Sequence, residues 1–201
     1  MKKFDITPLL PFYDKAADLC RDAFRREEEV APLGLLEELM DIPGMPMHCP
    51  PHHFLMPALL LVLAGRAQKI PYEQFEEDLL EIEERAKEVP GGACGFYGNC
   101  GAAVGIGLFL SVYTGTDPHS EEYWGECNLA TGRALQSIGE IAGPRCCKRN
   151  SFLALISALD TLEEFLHISI PRTGEIRCKY HDANPDCKGT DCPFFHKEAE
   201  A

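Results

Sequence analysis

The sequence contains no apolar run long enough to span a membrane and no recognisable secretory leader. Its longest apolar runs, 54–65 and 102–113, cover 12 residues each, whereas a transmembrane helix needs about 20. The first eight residues, MKKFDITP, lack both a continuous apolar region and a small-residue cleavage site, which a signal peptide requires. We therefore expect a cytoplasmic protein without a membrane segment, in which both apolar runs form core helices.

Basic residues are also scarce. There are 19 Lys and Arg against 32 Asp and Glu, giving a net charge of −13, and residues 172–201 hold five basic and six acidic residues of that total. Because nucleic-acid affinity depends on Lys and Arg that displace counterions from phosphates, residues 1–171 are not expected to bind nucleic acid. The glycines match neither a phosphate-binding P-loop nor a dinucleotide-binding fingerprint.

Cysteine, by contrast, occurs ten times. This share of about 5% is short of the roughly 8–10% that marks a disulfide-built secreted scaffold. In a cytoplasmic protein such cysteines are expected to be reduced, metal-bound or catalytic. Cys20 and Cys127 stand alone in helical segments, where a cysteine usually acts as a small buried apolar residue.

Apolar residues recur at helical spacing along most of the chain, with proline and glycine between the periodic segments. This pattern predicts helices over 14–30, 33–40, 53–64, 72–89, 101–113, 128–142 and 151–168. Helical periodicity is lost from Arg172 onward. The sequence therefore predicts a mainly α fold, with a cysteine-containing domain of six to eight helices at 1–171 and a small metal-stapled tail at 172–201.

The tail contains a run of metal-ligand residues, Cys178-(x8)-Cys187-(x4)-Cys192-(x3)-His196. Three thiolates and an imidazole can close a tetrahedral zinc site, and a segment with few core residues needs such a staple. The spacing resembles that of Cys-Cys-Cys-His zinc fingers. His181 is an alternative fourth ligand, and an Fe–S cluster held by the cysteines is a further option.

Fingers of this spacing often bind single-stranded RNA through aromatic side chains that stack on bases. Tyr180, Phe194 and Phe195 are the candidates in this tail, but three aspartates lie among the proposed ligands. Negative charge there and in the preceding residues opposes RNA binding. We therefore favour a tail that packs on the helical domain with its aromatic side chains buried.

Five further cysteines stand at the glycine- or proline-rich starts of apolar helices: Cys49, Cys94, Cys100, Cys146 and Cys147. A helix amino terminus carries unpaired N–H groups and partial positive charge, which favour thiolates and anions. His52 follows Cys49 at a spacing that allows joint ligation. Arg145 and Lys148 flank the adjacent pair and should lower the thiol pKa values. We therefore expect these helix ends to converge on one site.

Two segments carry a resemblance to known sequences: GACGFYGNCGAAVG at 92–105 and GPRCCKR at 143–149. They resemble an uncharacterised cysteine-rich family of anaerobic microbes and, more weakly, proteins of proposed redox function named for a C–GCAxxG–C–C pattern. That second pattern has cysteine where this chain has Gly101 and Ala102 beside Cys100. The resemblance implies a helical fold and a thiol-based metal, Fe–S or redox role, with functional positions at Cys94, Cys100, Cys146 and Cys147.

Our leading hypothesis is a metal- or Fe–S-binding thiol protein with a redox or sulfur-handling role. An Fe–S cluster or second metal in the helical domain would be held by Cys94, Cys100 and Cys146, with Cys49 or His52 as the fourth ligand. Zinc would occupy the tail. The candidate catalytic residues are Cys100, Cys146, Cys147 and Arg145. A small molecule or a protein that carries a thiol or sulfur group would be the partner.

Other functions are compatible with the same residues. The chain would be a non-enzymatic binding module if zinc were purely structural and the helical domain docked a partner protein or small ligand. It would be an RNA-binding finger protein if the tail aromatics were free to stack. A cysteine-dependent hydrolase or transferase would need Cys146 as nucleophile and His52 or His53 as base.

Overall fold

The computed structural model describes residues 5–172 and 174–196. Within these residues it contains eight α-helices and two short 3-10 turns, and its one β-bridge joins Cys178 and Phe195. The mainly α prediction is confirmed. The helices are α1 Leu10–Arg25, α2 Pro32–Met40, α3 His52–Gln68, α4 Tyr72–Lys87, α5 Ala93–Phe96, α6 Gly101–Thr114, α7 Trp124–Ile141 and α8 Cys147–Leu166.

The helix α1 begins and ends earlier than its periodicity predicts. Pro11 lies in its first turn, where the missing N–H of proline costs no hydrogen bond. At its other end, Arg66 donates to the carbonyl oxygens of Ala23 and Phe24 at 3.0 and 2.9 Å. The Ala23 carbonyl also accepts the backbone N–H of Arg26 at 3.4 Å. The last carbonyls of a helix lack their regular partners, so the Arg66 guanidinium stabilises the helix end at Arg25.

The helix α3 forms the centre of the fold and is buried on nearly every side. It packs against α1, α2, α4, α6 and α8. The backbone of α6 lies close against α3 at Gly105. A Cβ atom added there would be 2.6 Å from Cδ of Pro57 and 3.2 Å from the backbone oxygen of His53. Glycine is therefore needed at position 105 for α3 and α6 to approach so closely.

The described part of the tail, residues 174–196, packs on the helices and shares their core. Ile176 and Phe194 belong to the same apolar cluster as the helical residues. The Phe194 ring meets the Phe152 ring edge-on at a centroid distance of 5.3 Å, and the Tyr180 hydroxyl donates to Asp41 at 2.9 Å. In the described part of the chain, no helix combines the length and the apolar character that a membrane span requires.

Candidate thiol and metal site

The ten cysteines all lie in described residues, and none forms a disulfide. Eight of them fall into two sets that meet at the start of α8. The body group consists of Cys49, Cys94, Cys100 and Cys147. The tail group consists of Cys146, Cys178, Cys187 and Cys192. Cys20 and Cys127 belong to neither group.

The body group is built where three helices begin close together. Cys100 is the N-cap residue of α6, and Cys147 is the first residue of α8. The start of α6 rests on α3, since a Cβ atom on Gly101 would lie 2.0 Å from the His53 ring. The start of α8 reaches the loop before α3, where the Cys147 backbone N–H donates to Nδ1 of His48 at 3.4 Å.

Burial favours the protonated form of three thiols of the body group, those of Cys49, Cys100 and Cys147. It raises the pKa of Cys147 to about 12, and repulsion from charge on Cys100, Cys49 and Cys94 contributes to the rise. Burial likewise raises the pKa of Cys49 to about 11, while the positive charge of Lys148 opposes the shift. A bound metal would supply the missing positive charge, because metal ligation deprotonates thiols.

Cys100 has further donors around its sulfur. Burial raises its pKa, and the Asn150 side chain and the backbone amides of Ala102 and Ala103 oppose that rise. Asn150 Nδ2 donates to Cys100 Sγ at 3.4 Å. N–H donors favour the thiolate over the thiol, so the first turn of α6 and the buried Asn150 prepare this sulfur for ligation.

His52 lies beside Cys49 as an uncharged imidazole. Its Nδ1 is 3.2 Å from Cys49 Sγ, the residue is 1% exposed, and its Nε2 has no hydrogen-bond partner among the described residues. Burial lowers the pKa of His52 well below its ordinary value. Because the thiol pKa is raised and the imidazole pKa is lowered, proton transfer from Cys49 to His52 is disfavoured. Neutral imidazole is, however, the form that binds metals.

The hydrolase arrangement of Cys146 with His52 or His53 does not occur in the described structure. Cys146 Sγ accepts hydrogen bonds from the Arg149 backbone N–H and from Asn184 Nδ2, both at 3.4 Å. His53 Nδ1 lies 3.2 Å from the Val89 carbonyl oxygen. Neither histidine is therefore placed as a base for the Cys146 thiol.

Two buried cations stand between the body and tail groups. Lys148 is 2% exposed and donates to the Met40 carbonyl at 2.9 Å, and Arg149 is 3% exposed and donates to the Pro144 carbonyl at 2.8 Å. Neither forms an ion pair with a carboxylate among the described residues. Burial lowers the pKa of Lys148, while charge on Cys49, Cys147, Asp41 and Cys146 opposes this. Buried charges are normally paired, and thiolates at Cys49, Cys146 and Cys147 would supply negative charge that favours the charged form of Lys148.

A cavity of ≈ 630 Å³ opens next to the body group. It is lined by Cys94 and Cys100, by the glycines of the loop before α6, and by Arg145 and Arg149. Phe96, which is 68% exposed, stands in its wall. Cys49 and Cys147 do not line it. A small molecule in this cavity would reach Cys94 and Cys100 with a guanidinium nearby.

The tail group surrounds a second, much smaller cavity. All four of its cysteines line this space, together with His181, Asn184 and Phe194. His196 is exposed and is not among the lining residues. The structure thus brings the three predicted tail cysteines together with Cys146 from the start of α8, and it leaves His196 outside.

Neither group stands ready to bind a metal in the conformation described. Among the residues of the described ranges, no three or more Cys, His, Asp and Glu side chains are close enough together to hold an ion. The four sulfurs of the tail group belong to residues that line one cavity, whereas only Cys94 and Cys100 of the body group line the larger one. A cysteine sulfur changes position by rotating between staggered χ1 wells, so ligation would require at least such side-chain rotations.

The adjacent cysteines Cys146 and Cys147 are divided between the two groups. Cys146 has an extended backbone and caps α8, whereas Cys147 is the first helical residue. Their side chains therefore leave the chain in different directions. The sequence hypothesis combined Cys94, Cys100 and Cys146 with Cys49 or His52. In the structure, Cys94 and Cys100 line one cavity and Cys146 lines the other, while Cys49 and Cys147 line neither. The adjacent pair was the signal for this division, because neighbouring cysteines rarely point the same way.

These features define a cysteine-rich, all-α protein with two thiol groups. The chain belongs to the Family of unknown function (DUF5714), whose model matches residues 20–195. The matched range contains all ten cysteines and ends one residue before His196. Neither the curated proteins nor the solved structures gave a match to this chain.

Proposed function

We propose that this protein binds a metal or an Fe–S cluster through the body group and uses it, or the thiols it holds, for redox or sulfur-handling chemistry. The observation that carries the proposal is the pair of buried cations, Lys148 and Arg149, next to clustered thiols and without carboxylate ion pairs among the described residues. The ligands would be Cys49, Cys94, Cys100 and Cys147, with His52 as an alternative to Cys49.

The charge balance supports a metal–thiolate centre. The negative charge of four thiolates exceeds the positive charge of a divalent metal ion or an Fe–S core. The bound centre is therefore anionic, and a buried cation nearby would stabilise it. Without the centre, burial raises the pKa values of Cys49 and Cys147, and Lys148 forms no ion pair with a carboxylate among the described residues, which is unfavourable for a buried cation. Soft thiolate ligands select zinc, copper(I) and Fe–S clusters over hard cations.

The cavity beside Cys94 and Cys100 gives the proposed centre a route to a substrate. Its Arg145 side chain suits a partner that carries a negative charge, such as an anionic small-molecule thiol or a sulfur-bearing group of another protein. Cys100 and Arg145 are therefore the candidate catalytic residues here, while Cys147 is a candidate ligand. Because ten unpaired cysteines persist only where thiols stay reduced, we place this activity in the cytoplasm.

The test is metal and acid-labile sulfide analysis of the full chain purified without oxygen, together with its visible absorption spectrum. We expect bound metal, and iron with sulfide if the centre is a cluster. Cys100→Ser and Cys147→Ser should lose the same component, whereas the control Cys127→Ser should keep it, since Cys127 lies outside both groups. Retention of that component by both Cys100→Ser and Cys147→Ser would overturn the proposal.

A non-enzymatic binding module is the second candidate, and the enclosed tail cavity favours it. In that case zinc would bind in the tail alone, and the protein would be colourless with a body group of ordinary thiols. RNA binding through the tail gains no support from the geometry. Phe194 is 7% exposed and packs on Phe152, so it is not available to stack on a base.

A further inference from the structure

We propose that Cys146, Cys178, Cys187 and Cys192 form a four-thiolate zinc site that fastens the tail to the amino end of α8. This site would be distinct from the centre proposed for the body group and does not depend on it. It differs from a Cys-Cys-Cys-His finger in its fourth ligand, which comes from the helical body, 32 residues before Cys178 in the sequence.

The size of the tail cavity favours a single ion. Its volume is ≈ 10 Å³, about the space that one water molecule needs. An organic ligand or an Fe–S cluster is larger than this space. Zinc prefers four ligands in a tetrahedron and accepts four cysteines in structural sites, so four sulfurs around a space of this size match its requirements.

Backbone and side-chain N–H groups already point at the sulfurs. Cys187 Sγ accepts the backbone N–H of Gly189 at 3.4 Å, and the positive φ of Gly189, +57°, gives that turn its shape. Cys146 Sγ accepts from the Arg149 backbone N–H and from Asn184 Nδ2. Such donors stabilise thiolates and orient metal ligands.

The nearby histidines are less well placed than Cys146 to supply the fourth ligand. His196 is exposed and does not line the tail cavity, and His181 Nδ1 lies 2.9 Å from Oδ1 of its neighbour Asp182.

The experiment measures zinc in the reduced full chain and in single variants. Cys146→Ser and Cys192→Ser should lose about one zinc per chain, whereas His196→Ala and His181→Ala should retain it. Cys100→Ser should also retain this zinc, which separates the tail site from the body group. Retention of zinc in Cys146→Ser with loss in His196→Ala or His181→Ala would overturn the four-cysteine site in favour of three cysteines and a histidine.

Cobalt substitution provides a second readout, because the absorption of the bound metal reports its ligands. Co²⁺ in place of zinc gives sulfur-to-metal charge-transfer absorption that grows with the number of thiolate ligands. To isolate the tail site, the cobalt titration is repeated with Cys100→Ser. The spectrum should match a four-thiolate reference complex. A spectrum that matches three thiolates and one imidazole, or no cobalt bound at the tail, would contradict the proposal.

Discussion

The glycine at position 107 offers the sharpest test of how tightly the helices pack behind the thiol groups. A Cβ atom on Gly107 in α6 would lie 2.3 Å from Oγ1 of Thr131 and 2.7 Å from the backbone oxygen of Cys127, both in α7. The Thr131 side chain can rotate away, but the Cys127 carbonyl belongs to the α7 backbone. Gly107→Ala therefore forces α6 and α7 apart.

The magnitude follows from two opposing effects. Alanine in place of glycine inside a helix stabilises by about 0.5–1 kcal/mol, and overpacking a well-packed contact costs about 1–3 kcal/mol. Gly132→Ala in α7 is the matched control, because a Cβ atom there meets nothing within 4 Å. We expect Gly132→Ala to raise the free energy of unfolding by about 0.5–1 kcal/mol, and Gly107→Ala to fall about 1–3 kcal/mol below the control.

Urea unfolding followed by circular dichroism measures both variants, with equal m-values as the check that only stability has changed. If Gly107→Ala were as stabilising as Gly132→Ala, then α6 and α7 would not meet at backbone distance. The packing that positions the start of α6, and with it Cys100, would then be wrong.

Further outcomes follow from other parts of the structure. Hydrogen bonds from Arg21 lower the pKa of Glu76. The pair therefore stabilises the fold above the ordinary glutamate pKa of about 4.3 and loses this effect as the pH falls below it. In urea titrations, Glu76→Gln should lower the free energy of unfolding by about 1 kcal/mol at pH 7 and by less at pH 3. Burial raises the pKa of Cys20 to about 12, whereas Cys94 lines the large cavity. After brief alkylation of the metal-free native protein, mass spectrometry should therefore find Cys94 modified and Cys20 unmodified. Equal labelling of both cysteines would argue against this burial pattern. Phe194→Ala should destabilise the chain by about 3 kcal/mol, and a negligible change in Tm would mean that the tail does not share the core.

The sequence predicted the helices where one helix face is apolar. It did not predict the helical turns whose buried residues are polar. The stripe of α8 becomes apolar only at residue 151, yet the helix begins at Cys147 because Cys146 caps it and Lys148, Arg149 and Asn150 are buried. These polar residues are buried by contacts with distant parts of the chain, such as the Met40 carbonyl that accepts from Lys148. Helical periodicity contains no information about such contacts.

The candidate site was only partly predictable, because contacts between distant parts of the chain also determine which of its residues meet. Cysteines at helix starts indicated a thiol site, and the tail spacing indicated zinc ligands. The sequence predicted a tail that packs on the helical domain, but it could not show that the tail meets the start of α8. It therefore offered His196, with His181 as the alternative, as the fourth ligand. Local spacing identifies ligands that are neighbours in sequence, whereas Cys146 meets the tail group through contacts between distant parts of the chain, such as Phe194 on Phe152 and Asn184 on Cys146.

The start of α8 serves both thiol groups at once. Cys146 faces the tail group and Cys147 the body group, and the next two residues are the buried cations Lys148 and Arg149. A single peptide bond joins Cys146 to Cys147, so a rotation of the first turn that brings one sulfur to a metal also moves the other sulfur. Zinc in the tail would therefore set the position of Cys147 relative to Cys49 and Cys100. If zinc binds there, the tail would help to position the body group, and loss of zinc from the tail should alter the reactivity of the body thiols even though the tail contributes none of them.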